Sequence, residues 1–470
     1  MVKNRIYNVV FTLLLIASAI MYGLLMFNNN VWYDEAYSLA MIKHGFGEIA
    51  RITAADVHPP LYYYGLKLFS MAFGYNLISA KIFSIIPILL TMLLGYYNLG
   101  RVFGKKTGLA FAAALVLLPL YQSYAVEIRM YTWASFTVFG CGVFAFRAIS
   151  EDKKRYWILY AVFGVLSAYL HYFAFLSVVL IYFLSLLGAI YKNRVPAWFI
   201  NAVFSLLAYM PWMSSFLMQL GEKINNEYWI GPITEETVRE YFRVWLQCGE
   251  YTDLYIWVFA AVCLASLAII IAKKQTKMLW AVFGGVFVFV MTCALGIGVS
   301  IVVRPVFLER YAVPAIPLVI VLIAFGVGAV KSKVFTALIA AVGIGAYAVS
   351  YPYIYNNEYN STEMHIAELL EETEYDALIC CVDSHLYGVL AYYSPEKPVY
   401  RPRTSTGSPF DNILPLNSRN IDEEKTTLLF LPPGEAIPSW ACMGYDVEYK
   451  CDVATYGMTS NVYTCTKIIE

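Results

Sequence analysis

Residues 3–39 read KNRIYNVVFTLLLIASAIMYGLLMFNNNVWYDEAYSL. Lys3 and Arg5 open the stretch, an apolar run from Ile6 to Phe27 follows, and Asp34-Glu35 close it among aromatic residues. The run is about the length needed to cross roughly 30 Å of hydrocarbon. No small-residue cleavage site follows it, so it is expected to stay as a first membrane span. Beyond it the two adjacent carboxylates precede a helical pattern at Ala36, Leu39 and Ala40. Such a pair stabilises a helix N-terminus, or, at the mouth of a helix bundle, takes part in binding or catalysis.

The rest of the chain extends that first span into a pattern. Of 470 residues 60% are apolar and 14% charged, a composition that a water-soluble chain could bury only in an abnormally large core. The formal charge is zero, which gives no reason to expect a nucleic-acid partner. Further apolar runs lie near 82–99, 108–125, 131–149, 157–171, 173–191, 198–217, 254–272, 278–301, 311–330 and 334–354. Every second connection is short and basic: Arg101 with Lys105 and Lys106, Lys153 to Arg155, Lys192 with Arg194, Lys273 with Lys274 and Lys277, Lys331 with Lys333. Cytoplasmic loops carry such an excess of Lys and Arg. The N-terminus is therefore expected inside and the C-terminus outside, in a multi-pass protein of the cell membrane.

The opposite connections collect the acidic and imidazole groups. The first, 28–81, carries Asp34, Glu35, Glu48, Asp56 and His58; the one at 218–253 carries Glu222, Glu227, Trp229 and Glu250. Ionisable groups gathered at one membrane face are costly unless they line a wet cavity, so a site is expected there. From about Asn356 the composition changes. Glu363 to Glu372 reads as an amphipathic helix, and Ala377 to Val382, Thr426 to Leu431 and Val462 to Lys467 read as strands. The expectation is an α-helical polytopic membrane protein of about eleven transmembrane helices, residues 1–354, followed by a small extracytoplasmic α/β domain, residues 355–470. A disulfide such as Cys442 with Cys451 is allowed in an oxidising compartment. Asn360-Ser361-Thr362 is a glycosylation sequon.

Four short motifs lie at the outer face in order. After Asp34-Glu35 comes His58-Pro59-Pro60-Leu61, where two prolines fix an extended segment, start a helix and hold the imidazole. Glu127-Ile128-Arg129-Met130-Tyr131 joins the third and fourth spans, and Arg310-Tyr311 enters the tenth. His171 sits in a tight outer turn. Arg310 offers a planar, permanently charged fork suited to phosphate. Alternatively Glu127 with Arg129 forms an interfacial ion pair, and Arg310 anchors a helix end at the headgroups.

Together these residues resemble the C-type, polyprenyl-phosphate-dependent glycosyltransferases, and within them the bacterial relatives of protein O-mannosyltransferases and the lipid A aminoarabinose transferase. The resemblance covers residues 1–350 and leaves the C-terminal domain, and with it the acceptor, unassigned. It implies a polyprenyl-phosphate-linked sugar as donor, met in the membrane, and an acceptor hydroxyl on protein, lipid or glycan arriving from outside. Asp34 would be the general base, and Arg129 and Arg310 would bind the donor phosphate. Glu35, His58, Glu127, Tyr131, His171 and Tyr311 would orient the sugar or the acceptor, or bind a divalent cation. A single displacement with one base would invert the anomeric centre. The rival classes are a transporter, which calls for polar groups near the bilayer midplane and repeat symmetry, and a non-catalytic membrane scaffold.

Overall fold

A computed structural model describes residues 2–225, 230–382, 385–402, 408–416, 426–455 and 458–468. Glu227 and Trp229 of the second outer connection lie outside the described residues, as does the side chain of Glu222. Contacts divide the chain into two compact units: Met1–Phe27 with Thr53–Ile354, and Asn28–Ile52 with Tyr355–Glu470.

The first unit is a multi-pass membrane bundle. Nine helices among the described residues are long and apolar enough to span, and the bent pair Lys105–Leu117 and Leu120–Val126 adds a tenth when counted as one. The remaining expected run, 157–171, falls on the 17-residue helix Lys154–Leu170. At 1.5 Å per residue that is roughly 25 Å, at the short limit for a crossing. Every expected run therefore lies on a helix or helix pair. Large apolar side chains such as Leu13, Leu264 and Trp280 are exposed on the bundle, as lipid contact requires. Inside, small polar groups join the helices: Gln122 Nε2 donates to Ser350 Oγ at 2.9 Å, and the Ser177 and Thr292 hydroxyls lie 3.0 Å apart.

Two local features shape one end of the bundle. Pro119 keeps Leu118 out of the helical region, at φ −75° and ψ 122°, and the chain turns by 72° between the helices on either side. The tenth run starts as a 3₁₀ segment, Glu309–Ala315, before the helix Ile316–Ala329. At the other end the helices Leu77–Phe103 and Lys105–Leu117 pack so closely that a Cβ on Gly108 would sit 2.5 Å from the Tyr96 carbonyl oxygen. Backbone atoms cannot step aside as a side chain can. Gly108→Val is expected to destabilise the bundle by about 1–3 kcal/mol, read as a lower melting temperature in detergent or nanodiscs; an unchanged melting temperature would contradict this packing.

The second unit is built on a six-stranded sheet of order β3-β2-β1-β4-β6-β5. β1 (Ala377–Cys380), β2 (Val399–Arg401), β3 (Ile413–Pro415) and β4 (Thr426–Leu431) are parallel, with Leu378 opposite both Val399 and Leu428. β5 (Tyr445–Thr455) and β6 (Met458–Lys467) complete it antiparallel, Leu429 pairing with Tyr463. β1 and β4 are covered on both faces, which is why they read as continuous apolar runs. The expected amphipathic helix is Thr362–Glu372, capped by Ser361. All nine cysteines are free thiols, Cys442 and Cys451 included.

Candidate active site

In the membrane unit the motifs meet around one guanidinium. Pro60 caps the helix Leu61–Phe73 and leaves His58 buried just ahead of it. The 72° bend at Pro119 ends in the connection Glu127–Met130, where the Arg129 N–H donates to the Glu127 carbonyl at 2.8 Å. That turn aims Arg129 at the His-Pro-Pro segment. Its Nη2 lies 3.0 Å from His58 Nε2 and its Nη1 donates to the Tyr63 hydroxyl at 3.3 Å. A guanidinium can only donate, so His58 Nε2 accepts and the ring is the neutral Nδ1–H tautomer.

His171 ties the remaining motifs to this pair. It separates the helices Lys154–Leu170 and Tyr172–Tyr191 with an extended backbone, and its Nδ1 accepts the Phe173 N–H at 3.2 Å, capping the second helix. Its buried ring lies 5.7 Å from His58, 5.8 Å from Tyr131 and 5.0 Å from Tyr311. Tyr311 stacks on Phe173 at 5.0 Å, and the buried Arg310 guanidinium is 6.0 Å from the Tyr311 ring. Three side chains hold the backbone of this irregular segment. Trp245 Nε1 donates to the Glu309 carbonyl at 2.9 Å, Tyr241 to Phe307 at 2.9 Å, and Ser135 Oγ to Val313 at 3.0 Å. These bonds fix a backbone that a short 3₁₀ turn, with its poorer hydrogen-bond geometry, holds less firmly than a regular helix.

His58, Arg129, Tyr131, His171, Arg310 and Tyr311 thus form one buried, aromatic-walled group, with Glu127 half-buried on the connection behind Arg129. Asp34 and Glu35 belong to the other compact unit, on the helix Tyr33–Met41. Glu35 is buried and its carboxylate accepts the Trp32 N–H at 3.2 Å, closing the helix N-terminus; Asp34, half-buried, is not needed for that bond. Among the described residues no three His, Cys, Asp or Glu side chains converge to hold a metal ion. The nitrogen of His58 that faces Arg129 is occupied by that contact.

Two residues escaped the sequence reading. Tyr63 was one tyrosine in a row of three. Lys81 lies fully buried on the helix Leu77–Phe103, three residues before Ser84, whose carbonyl accepts Thr132 Oγ1 at 2.9 Å. Arg129 lies equally far ahead of Thr132. A lysine at the start of an apolar run, at the end opposite the short basic connections, was the available signal.

Residues 57–214 match the family of dolichyl-phosphate-mannose-protein mannosyltransferases. Among solved structures, the fold matches ArnT from Cupriavidus metallidurans in the apo state with a TM-score of 0.64 at 10% identity, covering 97% of this chain and 98% of that one. It matches the same protein bound to undecaprenyl phosphate with a TM-score of 0.61 at 12% identity, over 96% and 97% of the two chains. At these identities the likeness is one of fold. No curated protein sequence matches. The resemblance carried by the four motifs is borne out: the chain is a multi-pass membrane protein whose residues 57–214 match a C-type glycosyltransferase family and whose fold is that of ArnT. A stretch of its membrane unit matches the protein mannosyltransferases, and its whole length follows the fold of ArnT.

Proposed function

We propose that the protein transfers a sugar from a polyprenyl-phosphate-linked donor to an acceptor hydroxyl at the outer membrane face. The observation that carries this reading is the buried Arg129, held beside His58 and Tyr63 in one aromatic-walled group with the buried Arg310. Two guanidiniums held so deeply in a membrane bundle suit a dianionic or monoanionic phosphate, which they bind through charge-assisted forks. The match to a structure holding undecaprenyl phosphate supports the same ligand class.

In the reaction the anomeric carbon's bond to the phosphate oxygen breaks and its electron pair stays on the phosphate, where Arg129 and Arg310 stabilise the growing charge. The acceptor oxygen attacks the opposite face of the sugar while Asp34 takes its proton, so the configuration inverts. Tyr131, His171 and Tyr311 offer ring faces beside the donor, and His58 keeps Arg129 in place. Glu35 holds the helix start that carries Asp34.

The test is purified protein in nanodiscs with a panel of labelled polyprenyl-phosphate sugars. Release of polyprenyl phosphate with transfer of the sugar, or its slow loss to water, is the expected result, and the product should carry the inverted anomer. A retained anomer would overturn the single displacement. No turnover and no donor binding across the panel would overturn the transferase reading.

A further inference from the structure

Asp34 sits on a helix that the sheet unit grips from several sides. Ahead of it, Tyr393 Oη donates to the Asn29 carbonyl at 2.6 Å and accepts the Val31 N–H at 3.0 Å, and Ser361 Oγ donates to Asn30 Oδ1 at 2.6 Å. Behind it, His44 Nε2 donates to the Pro409 carbonyl at 2.8 Å. Between these anchors lies Tyr33, the residue directly before Asp34. Its ring stacks on His385 at 4.4 Å and its hydroxyl is 2.8 Å from that of Tyr387. Phe410 lies 6.3 Å away, and Arg401 covers Tyr387 at 3.6 Å. Gly388 completes the grip: a Cβ there would come within 2.6 Å of the Tyr33 ring and 3.0 Å of Phe410.

The location of this grip matters. β2 and β3 lie on one side of β1 and β4 on the other, so the strand order reverses direction at β1. His385, Tyr387 and Gly388 follow the carboxyl end of β1 and open the helix Leu386–Tyr393. Open α/β sheets bind their ligands at that edge. Here the chain's own Tyr33 lies against it.

We propose that the sheet unit is the positioning device for Asp34, with Tyr387, His385 and Gly388 fixing Tyr33 and through it the carboxylate. The inference rests on Asp34 acting as the base. Misplacing a reacting group by about 1 Å lowers the rate on the order of 10²-fold, so the grip should show in kcat. It should not show in the donor KM, which the guanidiniums of the membrane unit set.

The test compares donor turnover and melting temperature in full-length wild type and five variants, Asp34→Asn among them. Gly388→Ala should lower kcat by about 10- to 100-fold at an unchanged donor KM. Tyr33→Phe and Tyr387→Phe should each lower it about fivefold, and the double variant no further, because one hydrogen bond joins them. Equal melting temperatures exclude simple loss of fold; if Gly388→Ala does not fold, the tyrosine cycle decides. Full kcat in the variants, a shift in donor KM alone, or additive tyrosine effects would overturn the positioning role while Asp34→Asn remains inactive. A wild type without turnover, or an active Asp34→Asn, would instead overturn the functional reading itself, and this inference with it.

Discussion

Asp34→Asn should reduce turnover of the polyprenyl-phosphate sugar by about 10²- to 10⁴-fold, the range a general base contributes, while donor binding and melting temperature stay at wild-type values. The substitution keeps size and one acceptor oxygen but removes the proton-accepting carboxylate. The helix Tyr33–Met41 should survive it, since Glu35 rather than Asp34 closes its N-terminus. Ser38 Oγ bonds the Asp34 main-chain carbonyl, at 2.9 Å, and that contact is also kept. Glu35→Gln makes the contrast: it weakens the cap and should lower stability by a few tenths of a kcal/mol to about 1 kcal/mol with a smaller effect on rate. Turnover unaffected in Asp34→Asn would leave the transferase class standing and move the base elsewhere.

Arg129→Ala and Arg310→Ala should each lower turnover by about 10²- to 10³-fold, as expected for removing one preorganised charge from a phosphate leaving group. The two should differ in stability. Arg129→Ala leaves His58 Nε2 and the Tyr63 hydroxyl without their buried donor, a loss of about 1–3 kcal/mol. Arg310 stands beside the Tyr311 ring on a segment whose backbone is held by Trp245, Tyr241 and Ser135, so its loss should disturb the fold less. Arg129→Lys keeps the charge and loses the fork, and should retain part of the donor affinity. Binding of labelled donor, single-turnover rates and melting curves separate these effects. Normal donor affinity in both alanine variants would remove the phosphate from this site.

The legible part of the fold was the part set by solvent. Each of the eleven apolar runs lies on a helix or helix pair, and the kink at Pro119 only bends one of them. In the sheet unit, β1, β4 and β6 stood out as short apolar and β-branched runs, the first two buried on both faces. β2 and β3 are three residues each, too short to leave a pattern. β5, with the sequence YDVEYKCDVAT, is broken by a register shift between Tyr449 and Cys451 that disturbs its alternation. His58, Arg129, His171 and Arg310 were visible as polar residues at helix ends. Tyr63 was hidden among its neighbours, and Lys81 at the edge of a run.

By itself the sequence determined the membrane class, the places of the spans, the change of composition after the last one and the order of the four motifs. These follow from local chemistry: lipid selects long apolar helices, and proline and charge mark their ends. Only the tertiary structure decided which groups meet. Arg129 reaches His58 across 71 residues because the chain turns at Pro119, and Arg310 joins the same group because a 3₁₀ segment replaces a regular helix start. Asn28–Ile52, in the long connection after the first span, packs with a sheet more than 300 residues further on, where Tyr33 meets Tyr387. Such pairings depend on bends and on complementary surfaces far apart in the chain, and a periodicity read along one segment carries neither.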